Sequence, residues 1–148
     1  MNYTIRSISK FSLIFLLGMT SSQPVGADTL PGPIPASVVR VVDGDTLRVR
    51  AKIWLGQEVE VLVRLAGIDA PETYRPDCDA EREAGHAARD ALAGRIDGTV
   101  WLTNITEDKY AGRVVADARL PSAGSLSAEL LALGHAVPMG SDGGWCTD

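Results

Sequence analysis

Three short segments carry charged side chains that a hydrophobic core pattern does not require. They are Val42-Asp43-Gly44-Asp45-Thr46, Arg64-Leu65-Ala66-Gly67-Ile68-Asp69-Ala70-Pro71-Glu72-Thr73 and Asp108-Lys109-Tyr110-Ala111-Gly112-Arg113. Asp45 and Asp69 are hard oxygen donors with no His or Cys nearby in sequence, which suits calcium or magnesium and not zinc. Glu72 adds a carboxylate able to polarise a water. Arg64 and Arg113 are planar donors that match two oxygens of one phosphate. A divalent ion, a general base and two guanidiniums are the parts for phosphodiester hydrolysis. Taken singly, each segment has an ordinary structural reading: a tight Asp-Gly turn, a solvated loop and a polar hairpin. The chemistry requires these distant positions to converge.

The elements between them must do the positioning. Ser37 to Val42 is rich in strand formers and leads into the Asp43-Gly44 turn. Thr46 to Trp54 alternates, with Leu47, Val49, Ala51 and Ile53 on one face and Arg48, Arg50 and Lys52 on the other. Glu58 to Leu65 alternates again through Val59, Val61, Val63 and Leu65. Both read as half-buried strands. Gly67 to Pro76 reads as a loop stiffened by proline. Asp79 to Ile96 switches to helical period, with Ala80, Ala84, Ala87, Ala88, Ala91 and Leu92 as the apolar stripe, Asp77 as N-cap and Gly98 as the stop. Thr99 to Ile105 and Val114 to Leu120 are two more strands, and Ser125 to Leu133 is a second helix. Three strands, a helix, two strands and a helix give a mainly β chain with helices (α+β). The expected architecture is a five-stranded OB-fold-like barrel with two short helices. Trp54 and Trp101 are expected to pack in the barrel or at its rim, Trp145 to pack the tail, and His86 to pair with Asp90 on the helix surface.

Arg6 and Lys10 precede the apolar run Phe11 to Met19, and Val25-Gly26-Ala27 offers small residues for cleavage. Residues 1–27 therefore read as a signal peptide, and the mature chain as exported to the periplasm or the extracellular space with no membrane segment. Nine apolar residues make a helix of roughly 14 Å, too short for ~30 Å of hydrocarbon. Residues 28–36, with three prolines, read as an extended leader, and residues 37–148 as one domain. In an exported protein Cys78 and Cys146 pair by default, although a metal pair or free thiols are the alternatives. At 45% hydrophobic and 22% charged the 148-residue chain is not disordered. Without residues 1–27 it keeps 12 basic and 19 acidic side chains, which argues against holding nucleic acid through a broad basic face. A local positive path would need Arg40, Arg48, Arg50, Lys52, Arg64 and Arg75.

In this order and spacing the motifs resemble the staphylococcal nuclease (thermonuclease) family, in its short secreted bacterial form. The resemblance runs from Ser37 to Ala136. It rests on Val-Asp-Gly-Asp-Thr at 42–46, on Arg64 with Asp69-Ala70-Pro71-Glu72-Thr73, and on Asp108-Lys109-Tyr110 with Arg113. The pattern Leu131, Gly134 and Ala136 adds to it. It implies an OB-fold barrel and a calcium-dependent endonuclease acting on DNA and RNA, leaving 3′-phosphates. It further implies that Asp45, Asp69 and the Ala70 backbone carbonyl hold calcium, that Glu72 activates water, and that Arg64 and Arg113 grip the phosphate. Lys109 and Tyr110 are substrate-binding candidates, and a monomer is expected. Three differences from the family pattern stand out. Ala111 lengthens the turn before Arg113, so the extra residue must bulge outward. Val137-Pro138-Met139-Gly140 stands where a nucleotide-stacking tyrosine is common. The chain ends at Asp148 without a longer C-terminal helix, for which the tail disulfide is expected to substitute. The alternatives are a catalytically silent OB-fold module that binds nucleic acid or a protein, and a phosphodiesterase for small nucleotides.

Overall fold

Period-two alternation becomes strand wherever a second layer covers the apolar face. The computed structural model describes residues 28–146, and the expected signal peptide lies outside them. The strands are β1 (Thr29–Leu30), β2 (Ile34–Asp43), β3 (Thr46–Trp54), β4 (Gln57–Leu65), β5 (Ile68–Asp69), β6 (Thr99–Glu107), β7 (Arg113–Arg119) and β8 (Val137–Pro138). The helices are α1 (Asp79–Arg95) and α2 (Leu126–Ala132). Strands β2, β3 and β4 form an antiparallel meander. β4 then pairs parallel with β7, β7 antiparallel with β6, and β6 antiparallel with β2. The circuit closes a five-stranded barrel, the OB-fold-like α+β architecture the sequence predicts.

Inward-facing side chains fill the barrel: Leu47, Val49, Val63, Leu65, Val100, Leu102, Ala116 and Ala118 are all almost wholly buried. Leu92 of α1 and Leu126 and Leu130 of α2 join this core. Closure bends β6 at Asn104, a non-glycine residue with φ 51°, where the β6–β7 register shifts. The Asn104 amide donates to Asp117 across the bulge at 2.7 Å.

The same alternation fails where the second layer stops. Ile53 and Val59 are 49% and 44% exposed, because the β3–β4 hairpin runs past the barrel's end. Trp54 lies at that tip and is 71% exposed, so it does not pack in the barrel. Trp101 is also exposed, on the outer face of β6.

The expected leader is extended but not separate. Thr29 and Leu30 pair with Thr106 and Ile105, and Ile34 to Ala36 pair with Leu102 to Val100. Ala36 is buried, so the sheet begins before Ser37.

Helix α1 is rotated from its expected setting. Its buried residues are Glu81, Gly85, Ala88 and Leu92, whereas Ala80 and Ala87 are exposed. Single methyl groups favour burial too weakly to set a helix's rotation. Leu92 and the side-chain-free surface at Gly85 set it instead. The N-cap is Cys78 rather than Asp77: its Sγ accepts the Glu81 N–H at 3.3 Å. Asp77 lies one residue before the cap, and its N–H donates to Glu81 Oε2 at 2.6 Å. Asp90 meets Arg89, not the expected His86.

Cys78 is bonded to Cys146, tying the tail to the start of α1. The Trp145 ring lies directly over Gly143, and the Trp145 carbonyl lies 3.9 Å from Cys78 Sγ. No helix among the described residues is long and apolar enough to cross a membrane. A cross-link closing this long a loop stabilises by about 4 kcal/mol in the chain-entropy account. Replacing both cysteines by serine is therefore expected to lower unfolding free energy by about 2–4 kcal/mol. Urea denaturation of the oxidised protein and the variant checks this, and equal midpoints would contradict it.

Candidate active site

The site forms where three chain reversals meet at one mouth of the barrel. The first is the Asp43-Gly44 turn between β2 and β3, which delivers Asp45. Gly44 is buried under α1, and a Cβ there would lie 2.7 Å from the Ala88 Cβ and 2.8 Å from the Ala70 Cβ. A side chain would push the helix and the β5 loop away from the turn. The second reversal follows β4. Arg64 at the end of β4 and Asp69 in β5 flank it, and Pro71 and Glu72 continue it. The third is the turn from Asp108 to Arg113, which joins β6 to β7.

Arg64 binds the first two reversals together. Its Nη1 lies 2.8 Å from Asp45 Oδ2, and its Nη2 pairs with Asp69 Oδ1. The other oxygens are also engaged. Asp45 Oδ1 accepts the Thr46 hydroxyl at 2.7 Å, and Asp69 Oδ2 accepts the Gly140 N–H at 2.9 Å. The Ala70 main-chain amide also hydrogen bonds to Asp45. The Gly140 contact exists because β8 pairs with β5, Val137 opposite Asp69. Two-residue strands carry no periodicity, so the sequence reading saw only a loop there.

The third reversal brings Arg113. Its Nε donates to Asp108 Oδ2 at 2.5 Å, and its guanidinium lies 4.8 Å from the centre of the Tyr110 ring. Lys109 approaches the same ring at 5.1 Å. Ala111 is exposed, and the turn closes through the Arg113 N–H on the Tyr110 carbonyl at 3.3 Å. The extra residue thus sits on the outside of the turn while the Arg113 side chain stays in the site.

Arg64, Asp69, Glu72, Lys109, Tyr110 and Arg113 line one open cleft of about 890 Å³, with Met139 and Gly140 on its rim. Asp45 lies beneath the floor, 5% exposed. Of the six basic residues expected to form a positive path, only Arg64 lines the cleft. Arg48 and Arg50 instead pair with Glu60 on the barrel wall.

The electrostatics are unbalanced toward negative charge. Burial pushes the Asp45 carboxyl above its ordinary value and Asp43 adds to this, outweighing Arg64, the Thr46 hydroxyl and the Ala70 amide. Partial burial raises Glu72 as well, reinforced by the charges of Asp43, Asp45 and Glu81 against the pull of Arg64. Asp108 goes the other way. Burial raises it, but the hydrogen bond and charge of Arg113 and the Lys109 and Tyr110 amides hold it below its ordinary value.

No group of three or more His, Cys, Asp or Glu side chains forms a metal cage among the described residues. Asp45 and Asp69 nevertheless converge on one cationic group, the Arg64 guanidinium. The donor atoms they present are all oxygen. That chemistry fits a hard divalent cation.

Sequence reasoning missed two residues of this site. Glu81, to which the sequence reading gave no role, accepts the Glu72 N–H at 3.3 Å. Gly85 was not among the stripe residues, yet a Cβ there would lie 2.8 Å from the Pro71 carbonyl and 3.0 Å from that of Glu72. Glu at the third helical position after a cap was the available signal for the first.

Residues 62–142 match the family model for staphylococcal nuclease homologues. That match spans more than half of the chain, and the protein belongs to the staphylococcal nuclease family. It carries a nuclease-family domain. No curated protein matches the chain significantly.

In the metal-free protein, the Glu72 side-chain carboxyl carbon is expected to titrate by NMR above the ordinary 4.5. Because its folded value is raised, Glu72 favours the folded state only while protonated. Glu72→Gln should therefore gain stability relative to wild type as pH rises from 4.5 through that titration, and the difference should stop changing with pH well below 4.5. A Glu72 titration at or below 4.5 would contradict this electrostatic picture.

Proposed function

We propose that the protein is an exported, monomeric, calcium-dependent endonuclease that hydrolyses phosphodiester bonds of DNA and RNA and leaves 3′-phosphates. The observation that carries this reading is the meeting of Arg64, Glu72 and Arg113 on one cleft, above the Asp45–Arg64–Asp69 cluster. Asp45, Asp69 and the Ala70 backbone carbonyl would hold calcium, which supplies positive charge to a bound phosphate.

The chain's own residues account for the remaining steps. Glu72, raised toward neutrality by burial and neighbouring carboxylates, takes a proton from a water in the cleft. The water oxygen bonds to phosphorus, the bond from phosphorus to the 5′-oxygen breaks, and that oxygen takes a proton from solvent water to leave as a hydroxyl, while Glu72 returns its proton to solvent. The phosphate stays on the 3′ side. Arg64 and Arg113 donate to the non-bridging oxygens, where charge builds up in the transition state. Asp108 occupies the Nε edge of Arg113, leaving the Nη groups as the donors for an anion. Tyr110, 56% exposed on the cleft wall, offers a ring face to a base or sugar, and Lys109 offers charge to a neighbouring phosphate.

Plasmid digestion by the purified mature protein tests the reading. Calcium should be required, chelation should abolish cleavage, and end-group analysis should find 3′-phosphates. Glu72→Gln should lower kcat by about 10²–10⁴ while the protein remains folded. Full cleavage in excess chelator, or a fully active Glu72→Gln, would overturn the assignment. A folded wild type that binds nucleic acid without cutting it would leave only a binding module.

A further inference from the structure

Glu81 is a buried carboxylate to which the hydrolytic steps give no task. It is 7% exposed, in the first turn of α1. Its two oxygens serve different amides: Oε1 accepts the N–H of Glu72 at 3.3 Å, and Oε2 that of Asp77 at 2.6 Å. These amides are the two ends of the loop that carries Glu72. A glutamate at this helical position ordinarily reaches back to its own N-cap amide. Here the cap is Cys78, whose Sγ takes the Glu81 N–H, and the Glu81 side chain reaches past it.

The next turn of the helix completes the seat. At Gly85 the loop backbone lies so close that a Cβ would stand 2.8 Å from the Pro71 carbonyl and 2.9 Å from Thr73 Cγ2. The Thr73 hydroxyl donates to Asp43 Oδ1 at 2.9 Å, fixing the loop to the turn that bears Asp45. Local packing alone does not explain why an acid is buried here. Two main-chain N–H groups that a carboxylate can satisfy together do explain it.

We propose that Glu81 is a positioning residue: it clamps both ends of the 72–77 loop and thereby fixes where the Glu72 carboxylate stands in the cleft. The proposal rests on the reading of Glu72 as the general base. Glutamine keeps the size of Glu81 but presents one acceptor and one donor group, so one of the two amides loses its partner.

The test compares wild type, Glu81→Gln, Glu72→Gln and the double variant, by kinetics on plasmid DNA with calcium and by amide hydrogen exchange. Glu81→Gln is expected to lower kcat about 10–100-fold with KM within about twofold, because a misplaced base impairs chemistry and not binding. Exchange at the Glu72 or Asp77 amide should speed up about tenfold or more. In the Glu72→Gln background the same change should cost less than about threefold, since a residue acting through Glu72 has nothing left to position. An unchanged kcat, a rise in KM alone, or the same loss in both backgrounds would overturn the proposal. Should Glu81→Gln fail to fold, Gly85→Ala displaces the loop from the next turn of the same helix, and an unaltered kcat there overturns it. Should wild type show no cleavage, the base reading fails, and the two amide exchange rates still decide whether Glu81 clamps the loop.

Discussion

The Arg64 guanidinium is the tie on which the site depends. Asp45 comes from the β2–β3 turn and Asp69 from β5, and without a shared cation two carboxylates so placed would repel. Arg64 lies at the end of β4, the strand paired directly with β3, so the barrel's own register delivers the cation between them. One cation against Asp43, Asp45, Asp69 and Glu72 leaves a surplus of negative charge. Burial is the first cause of the raised carboxyls of Asp45 and Glu72, and neighbouring carboxylates add to it. Carboxyls raised in the folded state cost stability once they ionise.

Close approach does the rest of the positioning. Helix α1 contributes no catalytic side chain, yet it is the surface against which both acidic segments are pressed. Gly44 lets the Asp45 turn meet Ala88, and Gly85 lets the Glu72 loop lie on the helix backbone. The disulfide to Cys146 and the Cys78 cap fix the first turn of that helix, the turn that also holds Glu81. Stability and placement of the site are therefore carried by the same contacts. On the opposite wall the requirement is lighter. Arg113 is held by Asp108 and the Tyr110 ring on a hairpin whose extra residue, Ala111, points to solvent.

The barrel was legible because Leu47, Val49, Val63 and Leu65 alternate where a second layer covers them. Ile53 and Val59 follow the same alternation past the barrel's end and are exposed, since alternation states which residues share a face and not how far the covering layer extends. Asp45, Arg64, Asp69, Glu72 and Arg113 were legible by type and spacing. What sequence could not supply was the partnership of remote residues. The β5–β8 pairing that brings Gly140 to Asp69 involves two-residue strands, and the cap at Cys78 depends on where Glu81 reaches. The helix rotation was misread because alanines are nearly neutral about burial, while the deciding residue, Gly85, acts by having no side chain.

The central claim is that Asp45 and Asp69 together form one cation site. Calorimetric titration of the mature protein with calcium, without substrate, tests it most directly. The account predicts one calcium per molecule in the wild type, with binding severely weakened in both Asp45→Asn and Asp69→Asn. Wild-type calcium affinity in either folded variant would contradict it.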